Sequence, residues 1–195
     1  MPDFPMTKQD TQQGAHILAP QAILDFWLNQ PPERWFTPDP AFDREIAERF
    51  GTALEHAKRG AYGAWAETAE GALALIILLD QFSRNIHRGT AAMFAADAKA
   101  LAVAKHMVAA GQDLALPVDL RSWVYLPFMH SEALTDQDAC IALSARSGLE
   151  DSLHWAQVHA DIIRRFGRFP HRNPLLGREM TEDEQRFLDE GGFSG

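Results

Sequence analysis

Apolar residues along this chain recur every three or four positions, the spacing that gathers them on one stripe of a helix. Pro20 opens the first such stretch, with Ile23, Leu24, Trp27 and Leu28 sharing a face. Pro31 and Pro32 end it, because proline has no amide hydrogen to carry the helical ladder on. Asp39 followed by Pro40 reads as an N-cap and a first-turn proline, after which Phe42, Ile46, Phe50, Leu54 and Ala57 hold helical register as far as Gly60. From Ala72 to Leu79 every residue is apolar. Periodicity cannot separate buried strand from buried helix in such a run. Ala and Leu favour helix, however, and the run extends smoothly to Phe82, so a central helix covered on nearly every side is expected.

Thr90 suits the N-cap of a helix carrying Phe94, Ala98, Leu101, Ala104 and Val108, closed by Gly111. The helical pattern then holds from Asp119 to Ser147, with Pro127 expected to kink or divide it. Asp151 or Ser152 would cap a helix bearing Trp155, Ile162 and Phe166, and Thr181 with Glu184 forms a capping box for a last short helix. No alternating strand pattern competes. The expected fold class is all-α, with roughly seven to nine helices whose short links make neighbours antiparallel. Residues 1–19, rich in Gln, Thr and Pro, read as a loose arm, and 20–195 as a single helical domain. No strict repeat of about 34 residues is present, although helix pairs of that size fit the spacing.

Composition narrows the function classes. A chain of 195 residues with 46% hydrophobic content can bury a core without metal or disulfide staples. Its one cysteine, Cys140, cannot form an internal disulfide and sits among Ala139, Ile141 and Ala142, which points to a reducing compartment and a buried inert thiol. A formal net charge of −9 argues against wrapping nucleic acid, whose phosphates need a basic footprint. No start-of-chain segment looks like an export signal, and the longest apolar run is too short for a bilayer, so a cytoplasmic protein without membrane or nucleic-acid partners is expected.

Three segments are too polar for plain packing. The first runs from Asp80 through Gln81, Ser83, Arg84 and Asn85 to Arg88, directly after the most apolar helix. An aspartate at a helix C-terminus meets the negative end of the helix dipole, so Asp80 needs a cation, with Arg84 one candidate and an arginine from elsewhere another. The second holds His130, Glu132, Asp136 and Gln137 after Pro127; on a helix, Phe128, Glu132 and Asp136 would stack, with His130, Ala133 and Gln137 on another face. The third, from Arg164 to Arg178, carries five arginines and no acid, among them Arg165, Arg168 and Arg172, with His171 and Asn173 between. Such a cluster in an acidic chain is either neutralised internally, by Asp80, Glu132 and Asp136, or offered to an anion. His159 falls on the inward face of its helix, where a satisfied core histidine is commoner than a ligand.

These segments resemble a bacterial family catalogued as domain of unknown function 924. The likeness rests on Phe26-Trp27, on Leu73 to Arg88 with Gly89-Thr90, on Tyr125 to Glu132 with Asp136-Gln137, and on Arg165 to Asn173 with Leu176-Gly177-Arg178. Ser83 departs from the family's usual proline, which would soften a turn after the central helix. The resemblance implies a tetratricopeptide-like arrangement, a right-handed superhelix or bundle, and no activity, cofactor or catalytic residue.

Several functional readings follow. A curved helical face lined by Arg84, Arg88, Arg168 and Arg172 would take a carboxylate or phosphate of a small molecule or peptide. A small hydrolase would use His130 or His171 as general base, oriented by Glu132 or Asp136, although no nucleophile elbow or phosphate-cradling glycine loop accompanies them. A metal site from His130, Glu132, Asp136 and His171 is a lesser variant, and a purely structural or oligomerisation role matches every charge internally. The anion-binding scaffold is the reading the sequence favours. Its candidate residues are Asp80, Arg84, Asn85, Arg88, His130, Glu132, Asp136, Gln137, His159, Arg165, Arg168, His171, Arg172, Asn173 and Arg178, with no metal or cofactor assigned and the oligomeric state open.

Overall fold

The computed structural model describes residues 18–195, so most of the expected arm over 1–19 lies outside the described residues. Among them every regular element is helical: α1 (Pro20–Leu28), α2 (Glu33–Phe36), α3 (Pro40–Lys58), α4 (Ala69–Ile76), α5 (Ser83–Ile86), α6 (Asp97–Ala109), α7 (Val118–Met129), α8 (Leu134–Ser147), α9 (Glu150–Phe166) and α10 (Glu182–Asp189), with short 3-10 turns between. The all-α expectation holds. The caps read from sequence recur at α3, where Asp39 accepts from the amides of Ala41 and Phe42, and at α10, where Thr181 and Glu184 satisfy each other's amides.

The apolar run forms the spine. α4 passes through a wider π-helical turn, Ile77–Phe82, into α5 without leaving right-handed helical backbone. Gly71 to Ser83 are buried without exception. α1, α6 and α7 pack on α4, and α3 packs on the π turn and on α5. An aromatic core fills the space between them: the Phe82 ring lies 4.9 Å from Phe50 and 5.6 Å from Trp27, and Trp27 meets Trp123 edge-on at 5.5 Å. α7, α8 and α9 then pack in succession, and a smaller apolar cluster of Ile162, Ile163 and Phe169 joins α9 to the segment that follows.

Four local expectations need correction. Thr90 does not cap α6; its hydroxyl donates to the His87 carbonyl, a 3-10 turn over Ala91–Phe94 intervenes, and α6 begins at Asp97. Pro127 does not divide the long helical stretch, because α7 runs on to Met129 and the break comes at His130–Ala133. Asp151 and Ser152 lie within the first turn of α9 rather than capping it. Ser83 stands in continuous helix rather than after it, its hydroxyl donating to the Met93 carbonyl at 3.3 Å, so no turn follows the spine there.

α4 begins where the chain doubles back closely on itself. Thr68 Oγ1 accepts from Gly71 N at 3.2 Å, and a Cβ on Gly71 would press into the Trp65 carbonyl oxygen and come within 2.7 Å of Thr68 Oγ1. Backbone atoms there cannot yield as a flexible side chain would. Gly71→Ala is therefore expected to destabilise the domain by about 1–3 kcal/mol despite alanine's better helix propensity. Urea unfolding checks this; a stabilised variant would contradict the crowding.

Candidate functional site

The site is built on Asp80, inside the π turn. A π turn adds a residue to the helical circuit and re-aims side chains, and such turns recur where helices carry function. Asp80 is fully enclosed, at 0% exposure. Four contacts compensate its lost hydration. Arg84 Nη1 lies 2.9 Å from Oδ1 and also donates to the Asp80 carbonyl, Gln81 Nε2 donates to Oδ2, and His130 Nδ1 donates to Oδ1 at 2.8 Å. Burial pushes the Asp80 carboxyl up, but Arg84, His130 and Gln81 together outweigh it and hold it at about 2. Arg84 in turn makes a two-pronged bond to Asp97, at 2.9 and 3.1 Å, which brings the start of α6 into the cluster.

His130 comes from the loop that ends α7. Gln137, on α8, clamps that loop: its Nε2 donates to the carbonyls of Met129 at 2.7 Å and Ser131 at 2.6 Å. Glu132 lies in this loop, so the expected helical stacking of Phe128, Glu132 and Asp136 is absent, as is a helical face shared by His130, Ala133 and Gln137. Glu132 instead reaches the third polar segment, accepting from Phe169 N at 2.9 Å and from both Nη atoms of Arg178 at 2.7 and 2.9 Å. Asp136 turns away to Ser131 Oγ and Lys105 Nζ. The three segments thus meet through two carboxylates: Asp80 joins the first to the second, and Glu132 joins the second to the third.

Most of the arginines are matched within the protein. Arg88 pairs with Asp43, which also accepts from Asn85. Arg168 sits on Glu184, and Arg178, besides Glu132, donates to Asn173 Oδ1 at 2.8 Å. Arg165 is exposed and stacks on the Phe166 and Phe187 rings. Arg172 differs. It is only 7% exposed, its guanidinium lies over the Phe94 and Phe169 rings at 4.7 and 4.5 Å, and among the described residues its nearest carboxylate is Asp97 at 3.7 Å and its Nε has no hydrogen-bond partner. Burial, then repulsion from Arg84, push Arg172 down to about 10 even against Asp97.

Three imidazoles, of His130, His159 and His171, stand closely enough to feel one another's charge, and those of His159 and His171 also feel Arg172. His130 is lowered chiefly by burial and then by Arg84, with Asp80 opposing. His159 donates from Nδ1 to the Trp155 carbonyl at 2.8 Å and is pushed to about 4 by burial. His171, also at about 4 through burial and the adjacent Arg172, has no partner for Nδ1 among the described residues. Phe193 packs against both, its ring centroid 4.4 Å from His159 and 5.4 Å from His171.

Sequence reasoning missed Asp97, Phe94, Phe169 and Glu184. Nothing in the spacing of Asp97 marks a partner thirteen residues upstream at Arg84. Among the described residues no three His, Cys, Asp or Glu side chains are grouped to hold a metal ion; His130, Glu132, Asp136 and His171 face different partners. Cavities of about 540 and 290 Å³ lie elsewhere, one along α10 and one between α9, Phe187 and Phe193.

An all-helical domain knit by buried ion pairs between distant segments is therefore the class of protein in hand. The chain belongs to the family described as bacterial protein of unknown function (DUF924), whose model matches residues 23–192. It is similar to a solved structure described as a protein of unknown function, ATU0120, from Agrobacterium tumefaciens, with 45% identity and a TM-score of 0.84 over 88% of this chain and 97% of the other. No protein of curated function matches it. Among the described residues no helix is long and apolar enough to cross a membrane.

The buried imidazoles set a pH dependence. His159 titrates near 6.5 when unperturbed and at about 4 in the fold, so between those values the unfolded chain binds more protons. Its contribution to stability is present above pH 6.5 and is lost as pH falls toward 4. Urea unfolding at pH 7, 5.5 and 4.5 is expected to show falling stability, with the slope reduced by up to about 1.4 kcal/mol per pH unit in His159→Gln. An unchanged slope in that variant would contradict the burial of a neutral ring.

Proposed function

We propose that this domain binds a small molecule or peptide through a carboxylate or phosphate group, received by Arg172. One observation carries the reading: Arg172 is a buried guanidinium whose Nε–H is unused and whose nearest carboxylate stands outside hydrogen-bond range. A buried cation left so incompletely matched is costly, and an arriving anion would supply what the fold withholds. The rings of Phe94 and Phe169 pack on the guanidinium and restrict its motion, which lowers the ordering cost of anion recognition.

The expected groove of four arginines thereby narrows to one. Arg84, Arg88 and Arg168 each have a carboxylate in contact, so anion capture by them would first have to break an ion pair. A purely structural role is favoured by those same pairs, and Arg172 is the residue that distinguishes the two readings.

Inorganic phosphate and citrate provide the test, read by thermal unfolding and calorimetry. A ligand at about 100 times its Kd stabilises the native state by about 2.7 kcal/mol, which raises the melting temperature by a few degrees in a domain of this size. The wild type is expected to show this shift with at least one of the two anions, and Arg172→Gln to fold but lose it. Equal responses from the two proteins, or none from the wild type, would contradict the assignment.

A further inference from the structure

We propose that Asp80 and His130 form a general-base pair that directs water onto a small acyl ester bearing a carboxylate, the carboxylate being held by Arg172. The proposal rests on the anion site described above and adds a reaction to it. Its basis is the geometry of the imidazole. His130 Nδ1 is fixed on an enclosed carboxylate at 2.8 Å, which places the proton on Nδ1 and the lone pair on Nε2. Nε2 takes no hydrogen bond from the described residues and is not sealed away, the side chain remaining 17% exposed. A histidine that served only to match Asp80 would have no reason to keep its far edge open to water.

The support behind the ring is that of a positioned base. Asp80 cannot swing, because Arg84 holds Oδ1 and Gln81 holds Oδ2. The loop carrying His130 cannot drift, because Gln137 holds the carbonyls on either side of it. Burial and Arg84 keep the imidazole neutral at pH 7, ready to accept a proton, while Asp80 stabilises the imidazolium that results. Among the described residues no free side-chain nucleophile accompanies it. Ser83 and Ser131 donate their hydroxyl hydrogens to Met93 O and Asp136, and the buried Cys140 thiol is pushed up to about 12. The attacking group is therefore water.

The step balances without a co-reactant. Water gives a proton to His130 Nε2 as its oxygen bonds to the ester carbonyl carbon, and the carbonyl π pair moves onto oxygen. Collapse of the tetrahedral species breaks the bond to the alcohol oxygen, which takes the proton back from Nε2. Ester and water become acid and alcohol, and the imidazole returns to its neutral form.

The probe is 4-acetoxybenzoate, with its methyl ester as the uncharged counterpart. The wild type is expected to hydrolyse the charged ester in preference, with a pH profile that rises on the ionisation of His130 measured by NMR. His130→Gln, which retains a donor for Asp80, is expected to lower kcat/KM by about 100-fold or more. Arg172→Gln is expected to raise KM for the charged ester alone. Asp80→Asn, a positioning change, is expected to move the His130 proton off Nδ1 in nitrogen NMR spectra and to displace the pH profile. Hydrolysis no faster than buffer, or undiminished in His130→Gln, would overturn the proposal. If phosphate or citrate still binds at Arg172 in that case, the catalytic inference fails alone; if neither anion binds, both readings fall together.

Discussion

A carboxylate enclosed in a helical core loses several kcal/mol of hydration unless donors surround it, and this constraint at Asp80 dictates much of the domain. It explains why the loop after α7 lies against the spine rather than in solvent, since His130 must reach Oδ1. It explains the tie between the spine and the start of α6, since Arg84, once drawn to Asp80, needs Asp97 to balance its second face. Glu132 repeats the device one step outward, anchoring Phe169 N and Arg178 so that the segment after α9 folds back over the same region. Two carboxylates, one enclosed and one half-buried, thus fix where three distant stretches of chain must meet.

The apolar core does a different job. Trp27, Phe42, Phe50, Phe82 and Trp123 hold α1, α3, the spine and α7 together by area and shape. The ionic cluster is a second feature laid beside that packing. What it leaves over is chemically specific: among the described residues, an imidazole edge on each of His130 and His171 and one guanidinium without full partners, in surroundings where burial keeps the imidazoles neutral.

The fold was legible where local physics decides it. The apolar stripes of α1 and α3, the Asp39 cap and the Thr181–Glu184 box depend on residues a few positions apart, and the helical reading of the Ala72–Leu79 run followed from the residues it contains. Reading failed where distant contacts override spacing. Pro127 was tolerated within α7, and the break fell instead where Gln137 captures the carbonyls around His130, a bond no window of sequence reveals. The π turn leaves no signature, because an added residue in a fully buried helix disturbs no polar face. Among the site residues, Asp80, Arg84, His130, Glu132, Arg172 and Arg178 were all suspected from composition, whereas Asp97 was invisible because only its partners, not its neighbours, make it unusual.

If the cluster around Asp80 is there for chemistry and not for folding, it can be taken out as a unit. Removing one member strands a charge and costs about 3–5 kcal/mol, but replacing all by apolar groups of similar volume is often neutral or stabilising. The direct measurement is urea unfolding of the triple variant Asp80→Leu, Arg84→Met, His130→Phe beside the single change Arg84→Met. The triple variant is expected to fold with stability within about 1 kcal/mol of the wild type or above it, and the single variant to be several kcal/mol weaker. A triple variant as unstable as the single one, or one unable to fold, would mean that the ion pairs are part of the scaffold itself.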